Sequence, residues 1–266
     1  MKRILTGIVL IPLVLALVLF APPYLMVAVQ LAIALVGVWE FFRLQEAAGF
    51  RVLRLPGYFF TAGLSLLTIL GYIRFLTPFI LAVLFCALLM LAAMLPKYPL
   101  QNYLGTVTGS FFGPIYVSVP LAMLVWVWMD YDGPYHVLFA LVVIWTGDTA
   151  AFFIGKNFGK HKSSPRISPN KTWEGTIASF LAALVVSIFT AKYFWGGNGY
   201  AELLVLAAAL NVAGQFGDLA ESALKRSAGV KDSSKLIPGH GGVLDRIDAL
   251  LFAAPVLWYY WLWHTG

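Results

Sequence analysis

Cysteine is almost missing: the 266 residues contain one, Cys86, so no intrachain disulfide can form and nothing suggests thiol chemistry. Charge is scarce as well, at 11% Asp, Glu, Lys and Arg against 61% hydrophobic residues. A soluble domain of that composition would have too little polar surface to face water, so the chain reads as a polytopic membrane protein. The four histidines (His136, His161, His240 and His264) are scattered, with no His-x-x-x-His pair or cysteine cluster, which argues against zinc. A Walker-type phosphate loop is lacking, because Gly155-Lys156-Asn157-Phe158-Gly159-Lys160-His161 is one residue short and has His where Ser or Thr is needed. No dinucleotide fingerprint occurs either. The first apolar run, Ile4–Phe20, has no small-residue cleavage site and is followed directly by further spans, so it reads as a retained helix. A net charge of +6 fits basic loops facing anionic lipid and substrate rather than nucleic acid.

What is present is a series of long apolar runs. A bilayer core of about 30 Å needs roughly 20 apolar residues per helix. Nine stretches qualify: Ile4–Phe20, Leu25–Phe42, Gly57–Ile73, Pro78–Leu95, Gly105–Met129, Pro134–Ile154, Trp173–Trp195, Ala201–Leu224 and Ile247–Trp263. Gly113-Pro114 and Pro120 are expected to kink or break the fifth. With nine spans, sixteen of the eighteen Lys and Arg fall on one side and only Arg74 and Lys192 on the other. The positive-inside rule then puts the N-terminus and the basic loops in the cytoplasm and the C-terminus outside. The expected fold is therefore an all-α, polytopic integral membrane protein. Terminal aromatics such as Trp258-Tyr259-Tyr260-Trp261 suit an interfacial belt. Arg43–Pro56 reads either as an interfacial amphipathic helix or as a simple basic loop. The pairs Gly147-Asp148 and Gly217-Asp218 resemble each other, too briefly to establish a repeat.

The acids divide into two groups. Glu46, Asp130 and Asp132 fall in expected loops, and Glu40 and Glu202 at helix ends, all read as solvated. Asp148, Glu174, Asp218, Glu221, Asp232, Asp245 and Asp248 lie in or beside the two largest basic loops. Gly217–Asp248 alone holds five carboxylates and five cations. Charge near a bilayer is costly, about 2.5–3.5 kcal/mol per residue at mid-depth on insertion scales, so such a concentration marks a site. Asp218 with Glu221, and Asp245 with Asp248, stand three apart on a helix and share a face. Converging, they would form an all-oxygen pocket for a hard cation, Mg²⁺ or a relative. The plainer reading is internal ion pairing, such as Asp218 with Lys225 or Asp248 with Arg246.

Carboxylates beside many cations (Lys156, Lys160, Lys162, Arg166 and Lys171; Lys225, Arg226, Lys231, Lys235 and Arg246) suit a polyanionic, metal-bound ligand such as a nucleoside triphosphate. Ser168–Gly175 opens the seventh helix with hydroxyls, Lys171 and amide groups suited to phosphate. Pro238-Gly239-His240-Gly241-Gly242 permits positive φ and close backbone approach to a ligand.

Ser222-Ala223-Leu224-Lys225-Arg226, then Lys231-Asp232, then Ile237 to Asp248 (Ile-Pro-Gly-His-Gly-Gly-Val-Leu-Asp-Arg-Ile-Asp) resemble the phosphatidate cytidylyltransferase, or CDP-diacylglycerol synthase, signature without departure. Gly147-Asp148, Gly159–Lys162 and Ser168–Gly175 are also similar, although Asn170 stands where many members carry Lys or Gly. The resemblance implies transfer of a cytidylyl group from CTP to phosphatidic acid, giving CDP-diacylglycerol and pyrophosphate in phospholipid biosynthesis. It implies a homodimer in a bacterial-type inner membrane, a cytoplasmic active site, and Mg²⁺, alone or with a second cation. Residues 1–140 would be a transmembrane scaffold and 141–266 the catalytic region. Asp218, Asp245 and Asp248 are expected to hold the metal, with Asp148 and Glu221 as helpers. Lys171, Lys225, Arg226 and Arg246 would hold phosphates, with Lys231 beside them. Ser168 and Thr172 would donate hydroxyls, Gly239, Gly241 and Gly242 would let the backbone meet CTP, and His240 would position rather than transfer a proton. Rival readings are another CTP-using lipid enzyme and an ion-coupled transporter with Asp148 and Asp218 as a relay. A CDP-alcohol phosphotransferase is disfavoured, since its Asp-Gly-x-x-Ala-Arg pattern is absent.

Overall fold

The computed structural model describes residues 2–70, 100–196, 199–237, 239 and 241–265. The fourth expected span, Pro78–Leu95 with Cys86, and His240 lie outside the described residues. The helices are α1 (Lys2–Phe20), α2 (Pro23–Ala47), α3 (Arg54–Leu70), α4 (Leu100–Trp128), α5 (Gly133–Phe158), α6 (Trp173–Trp195), α7 (Tyr200–Ser227) and α8 (Leu244–Thr265). Five of them, within α2, α4, α5, α6 and α7, are long and apolar enough to cross a membrane. The chain is thus an all-α integral membrane protein, with one small addition. A hairpin of β1 (Lys162–Ser164) and β2 (Ser168–Thr172) pairs antiparallel before α6.

Local chemistry sets most of the boundaries. Pro22 and Pro23 open α2, where a missing N–H costs nothing. Its end is a tight turn in which Gly49 takes φ 89° and the Phe50 N–H donates to the Gln45 carbonyl. Arg54 then begins α3 and pairs with Glu46 on the last turn of α2. Arg43–Pro56 is therefore the end of one helix, a turn and the start of the next, and Glu46 is helical and ion-paired. Thr172 caps α6, its Oγ1 accepting from the Gly175 N–H at 3.2 Å, and Gly196 closes that helix at φ 59°. Pro114 and Pro120 do not break α4, which runs through both. In a bilayer an interrupted backbone finds no water, so an apolar helix retains its proline and keeps its remaining bonds.

The chain forms two compact units, Met1–Trp126 with Leu224–Arg246, and Val127–Ala223 with Ile247–Gly266. In the first, Gly105, Gly109 and Gly113 recur at every fourth position along α4. A Cβ at those sites would meet Phe50, Gln45 and Phe41 at 2.5, 1.8 and 2.5 Å. This small-residue stripe lets α2 and the turn after it lie directly against α4, which is how helices gain dispersion contacts in lipid. Phe41 also sits 5.9 and 5.8 Å from the rings of Phe112 and Tyr116. The second unit uses the same device. A Cβ on Gly217 of α7 would stand 2.4 Å from the Asp248 carbonyl oxygen of α8, and one on Gly147 of α5 would meet Asn211 and Ser179. Asn211 donates to Ser179 at 2.9 Å, so this buried polar pair is satisfied.

Candidate active site

In the second unit the hairpin and two helix ends assemble one cluster. Lys171 on β2 reaches Asp218 on α7, with Nζ 2.9 Å from Oδ2. The other Asp218 oxygen accepts from the Ser222 hydroxyl one turn later, at 3.3 Å. Gly217 seats the neighbouring backbone against Asp248 and Ala249. Asp248 takes the Ala249 N–H at 2.8 Å near the start of α8. Lys171 and Asp218 both retain solvent access, whereas Glu221, one turn beyond Asp218, is fully buried. The hairpin is pinned by Glu174, which receives the His161 N–H and lies 2.7 Å from His161 Nδ1. Ser168 is half-buried on β2, while Asp148 is exposed on α5. Thr172, expected as a phosphate donor, is buried and spends its oxygen capping α6.

In the first unit the residues after α7 fold around two carboxylates. Asp245 sits in the first turn of α8 with its side chain only 5% exposed. Oδ1 takes the Lys225 ammonium at 2.6 Å, and Oδ2 accepts from Ser233 N, Ser233 Oγ and Gly242 N at 3.0, 2.8 and 2.7 Å. Oδ2 is thereby bonded to the loop and Oδ1 to Lys225 on α7, so Asp245 acts as an internal clasp between them. Burial raises the Asp245 pKa, but the bonds from Lys225, Gly242 and Ser233 outweigh it and hold the carboxyl below its ordinary value. The Gly-rich turn has the backbone its sequence suggests, with φ 78° at Gly239 and 81° at Gly241. Its glycines also make room for protein groups. A Cβ on Gly241 would lie 2.6 Å from Asp245 Oδ2, and one on Gly242 would lie 2.1 Å from Ser233 Oγ. Arg226 donates to the Val230 carbonyl at 3.0 Å and, with Lys231 and Arg246, is exposed.

The residue that sequence reading missed is Glu40. Expected to be solvated at a helix end, it is 0% exposed on α2. It accepts from Ser233 Oγ (3.1 Å), Ser234 Oγ (2.5 Å), Val243 N (3.0 Å) and Leu244 N (2.6 Å). The one available signal was a carboxylate inside a long apolar run, which has to find partners somewhere. Asp130, also expected to be solvated, accepts from Trp261 Nε1 at 2.5 Å, and Glu202 stands 3.0 Å from His264. Ion pairing does occur: Lys225 takes Asp245 and Asp218 takes Lys171, each a partner remote in sequence.

Among the described residues no group of three or more His, Cys, Asp or Glu side chains converges as a ready-made metal cluster. The accessible donors in the second unit are carboxylate oxygens. They suit Mg²⁺ bound through one or two carboxylates, with the remaining positions filled by water and ligand phosphates.

A family model described as the cytidylyltransferase family matches residues 1–264, and the chain belongs to that family. Similar curated proteins named phosphatidate cytidylyltransferase come from Bacillus subtilis, 46% identical over 131 residues (49% of each chain), and Haemophilus influenzae, 44% over 136 residues (48% of this chain, 47% of the relative). Another, from Staphylococcus haemolyticus, is 44% identical over 126 residues, 47% of this chain and 48% of the relative. The chain spans about half the length of the curated relatives it matches.

Proposed function

We propose that the protein is a CTP:phosphatidate cytidylyltransferase, making CDP-diacylglycerol and pyrophosphate for phospholipid synthesis. The observation that carries this reading is the family match over residues 1–264, together with relatives of 43–46% identity that bear this activity as their name. The site chemistry supports it, because acids and cations sit together where a metal–triphosphate complex needs both signs of charge.

In this reading a phosphomonoester oxygen of the lipid attacks the α-phosphorus of CTP and pyrophosphate leaves. The attacking phosphate is largely ionised near neutral pH, so no strong base is required of the chain. Positioning and charge neutralisation do the work. Lys171 holds a phosphate, exchanging its contact with Asp218 for the ligand. Arg226, Arg246 and Lys231 are exposed cations of the signature suited to phosphate, and Ser168 has a hydroxyl to donate. Asp218 and Asp248 are the carboxylates suited to Mg²⁺, which when bound neutralises the phosphates of CTP. Asp245 and Lys225 keep the Gly-rich loop in shape. The positive-inside count supports a cytoplasmic N-terminus, a C-terminus outside and a CTP site facing the cytoplasm of an inner membrane. Phosphatidate then enters sideways from the bilayer, and the working form is a homodimer.

The test is pyrophosphate release by detergent-purified protein given CTP, Mg²⁺ and phosphatidic acid, each omitted in turn and ATP substituted for CTP. Release that needs all three and fails with ATP is expected. Folded protein that releases none overturns the assignment.

A further inference from the structure

We propose that Glu40, on α2, is a positioning residue that sets the conformation of the loop between α7 and α8 and thereby the affinity for CTP. The inference rests on reading that loop, with its Gly239 and Gly241 turn, as part of the CTP site. It goes beyond that reading by assigning a role to a helix remote in sequence from every residue of the signature.

Four observations lead to it. Glu40 lies 193 and 194 residues from the two serines it binds, so only the fold brings them together. Its carboxylate is fully buried and accepts from the Ser234 hydroxyl and two amides, and it shares the single Ser233 hydroxyl hydrogen with Asp245. Burying an ion is costly unless hydrogen bonds replace its water, so the group is held only because the loop closes round it. Two of the donors, the Val243 and Leu244 amides, open α8, where the orphan N–H groups and the positive end of the helix dipole favour an anion. Glu40 therefore fixes at once the middle of the loop, at Ser233 and Ser234, and its far end, at α8.

The carrier is rigid. Phe41 and Phe42, which follow Glu40, are 2% and 0% exposed and pack onto Gly113 and Gly57. On the loop side, a Cβ at Gly242 would stand 2.3 Å from Glu40 Oε1, so that glycine is needed for the carboxylate to seat. Asp245 holds the same loop from within through Ser233 and Gly242. Ser233 Oγ lies within hydrogen-bond distance of both carboxylates, 3.1 Å from Glu40 and 2.8 Å from Asp245, and is the hinge of the device.

The experiment uses the full chain in detergent and compares wild type with Glu40→Gln, and with Ser234→Ala in case the first variant fails to fold. An amide puts a donor where two donors already point. Amide exchange at Val243 and Leu244 is expected to quicken by about tenfold or more, the scale of one lost charge-assisted hydrogen bond. KM for CTP is expected to rise by a similar factor, while KM for phosphatidate stays within about twofold. For Ser234→Ala both effects are expected to be smaller and in the same direction. Unchanged exchange at those amides overturns the proposal. Faster exchange with both KM values unchanged and only kcat reduced also overturns it, leaving Glu40 a role in stability alone. If wild type releases no pyrophosphate from CTP, the functional reading fails, and the exchange measurement still decides whether Glu40 holds the loop.

Discussion

Asp245→Asn and Lys225→Met remove the two halves of one buried pair, and the structure says their costs are unequal. Lys225 and Asp245 side chains are 11% and 5% exposed, at 2.6 Å. Without the carboxylate, the Lys225 ammonium is left buried with no negative charge from this partner, a change that costs about 3–5 kcal/mol. Without the ammonium, Asp245 still accepts from Ser233 N, Ser233 Oγ and Gly242 N, so the cost is expected near the lower end, about 1–3 kcal/mol. The double variant should recover part of the larger loss, because the buried cation has gone. Denaturation followed by tryptophan fluorescence in detergent measures all three. The pair also has a pH signature. Because the folded Asp245 pKa lies below its ordinary 3.8, its stabilisation is present above that pH and is lost as pH falls through the folded value. Wild type should thus lose stability below about pH 4 more steeply than Asp245→Asn. Equal costs for the two single variants, or a loss under about 1 kcal/mol for Asp245→Asn, would refute the buried-clasp reasoning.

Asp218→Asn should behave differently, abolishing pyrophosphate release while unfolding stays close to wild type, since its partner Lys171 remains solvated; retained turnover removes Asp218 from the site. Gly217→Ala should destabilise by about 1–3 kcal/mol in the same denaturation assay, because its Cβ meets the backbone of Asp248 and Ala249 at 2.4 and 3.1 Å. Gly63→Ala, in the interior of α3 with nothing within 4 Å, should instead stabilise by about 0.5–1 kcal/mol, and equal effects at the two sites would contradict the packing described. Asp130→Ala removes the carboxylate that accepts from the Trp261 indole N–H at 2.5 Å and should lower stability by about 1–3 kcal/mol rather than being neutral; an unchanged denaturation midpoint refutes this.

Helices were legible in the sequence because the bilayer makes their signal local. An apolar run of the right length has few alternatives to a helix in lipid, and Trp173–Trp195 has the same bounds by hydropathy and in the structure. Positive φ at Gly239 and Gly241, and the paired placement of Asp218 and Glu221 on one helix, are likewise properties of a few neighbouring residues. Even the family follows from a short run of polar residues that no structural argument is needed to see.

Partnership was decided only in three dimensions. Glu40 looked like a solvated helix-end acid because nothing near it in sequence could satisfy it, and its four donors are supplied from Ser233 to Leu244. The pairing of Asp218 with Lys171 depends on which helix ends and strands become neighbours. Gly105, Gly109 and Gly113 read as ordinary transmembrane glycines until the side chains of Phe50, Gln45 and Phe41 are found against them. Hydropathy and periodicity report how each residue meets its own helix and the lipid. Which carboxylate neutralises which cation is a property of the packed helices, and here that separates the clasp at Asp245 from the accessible acid at Asp218.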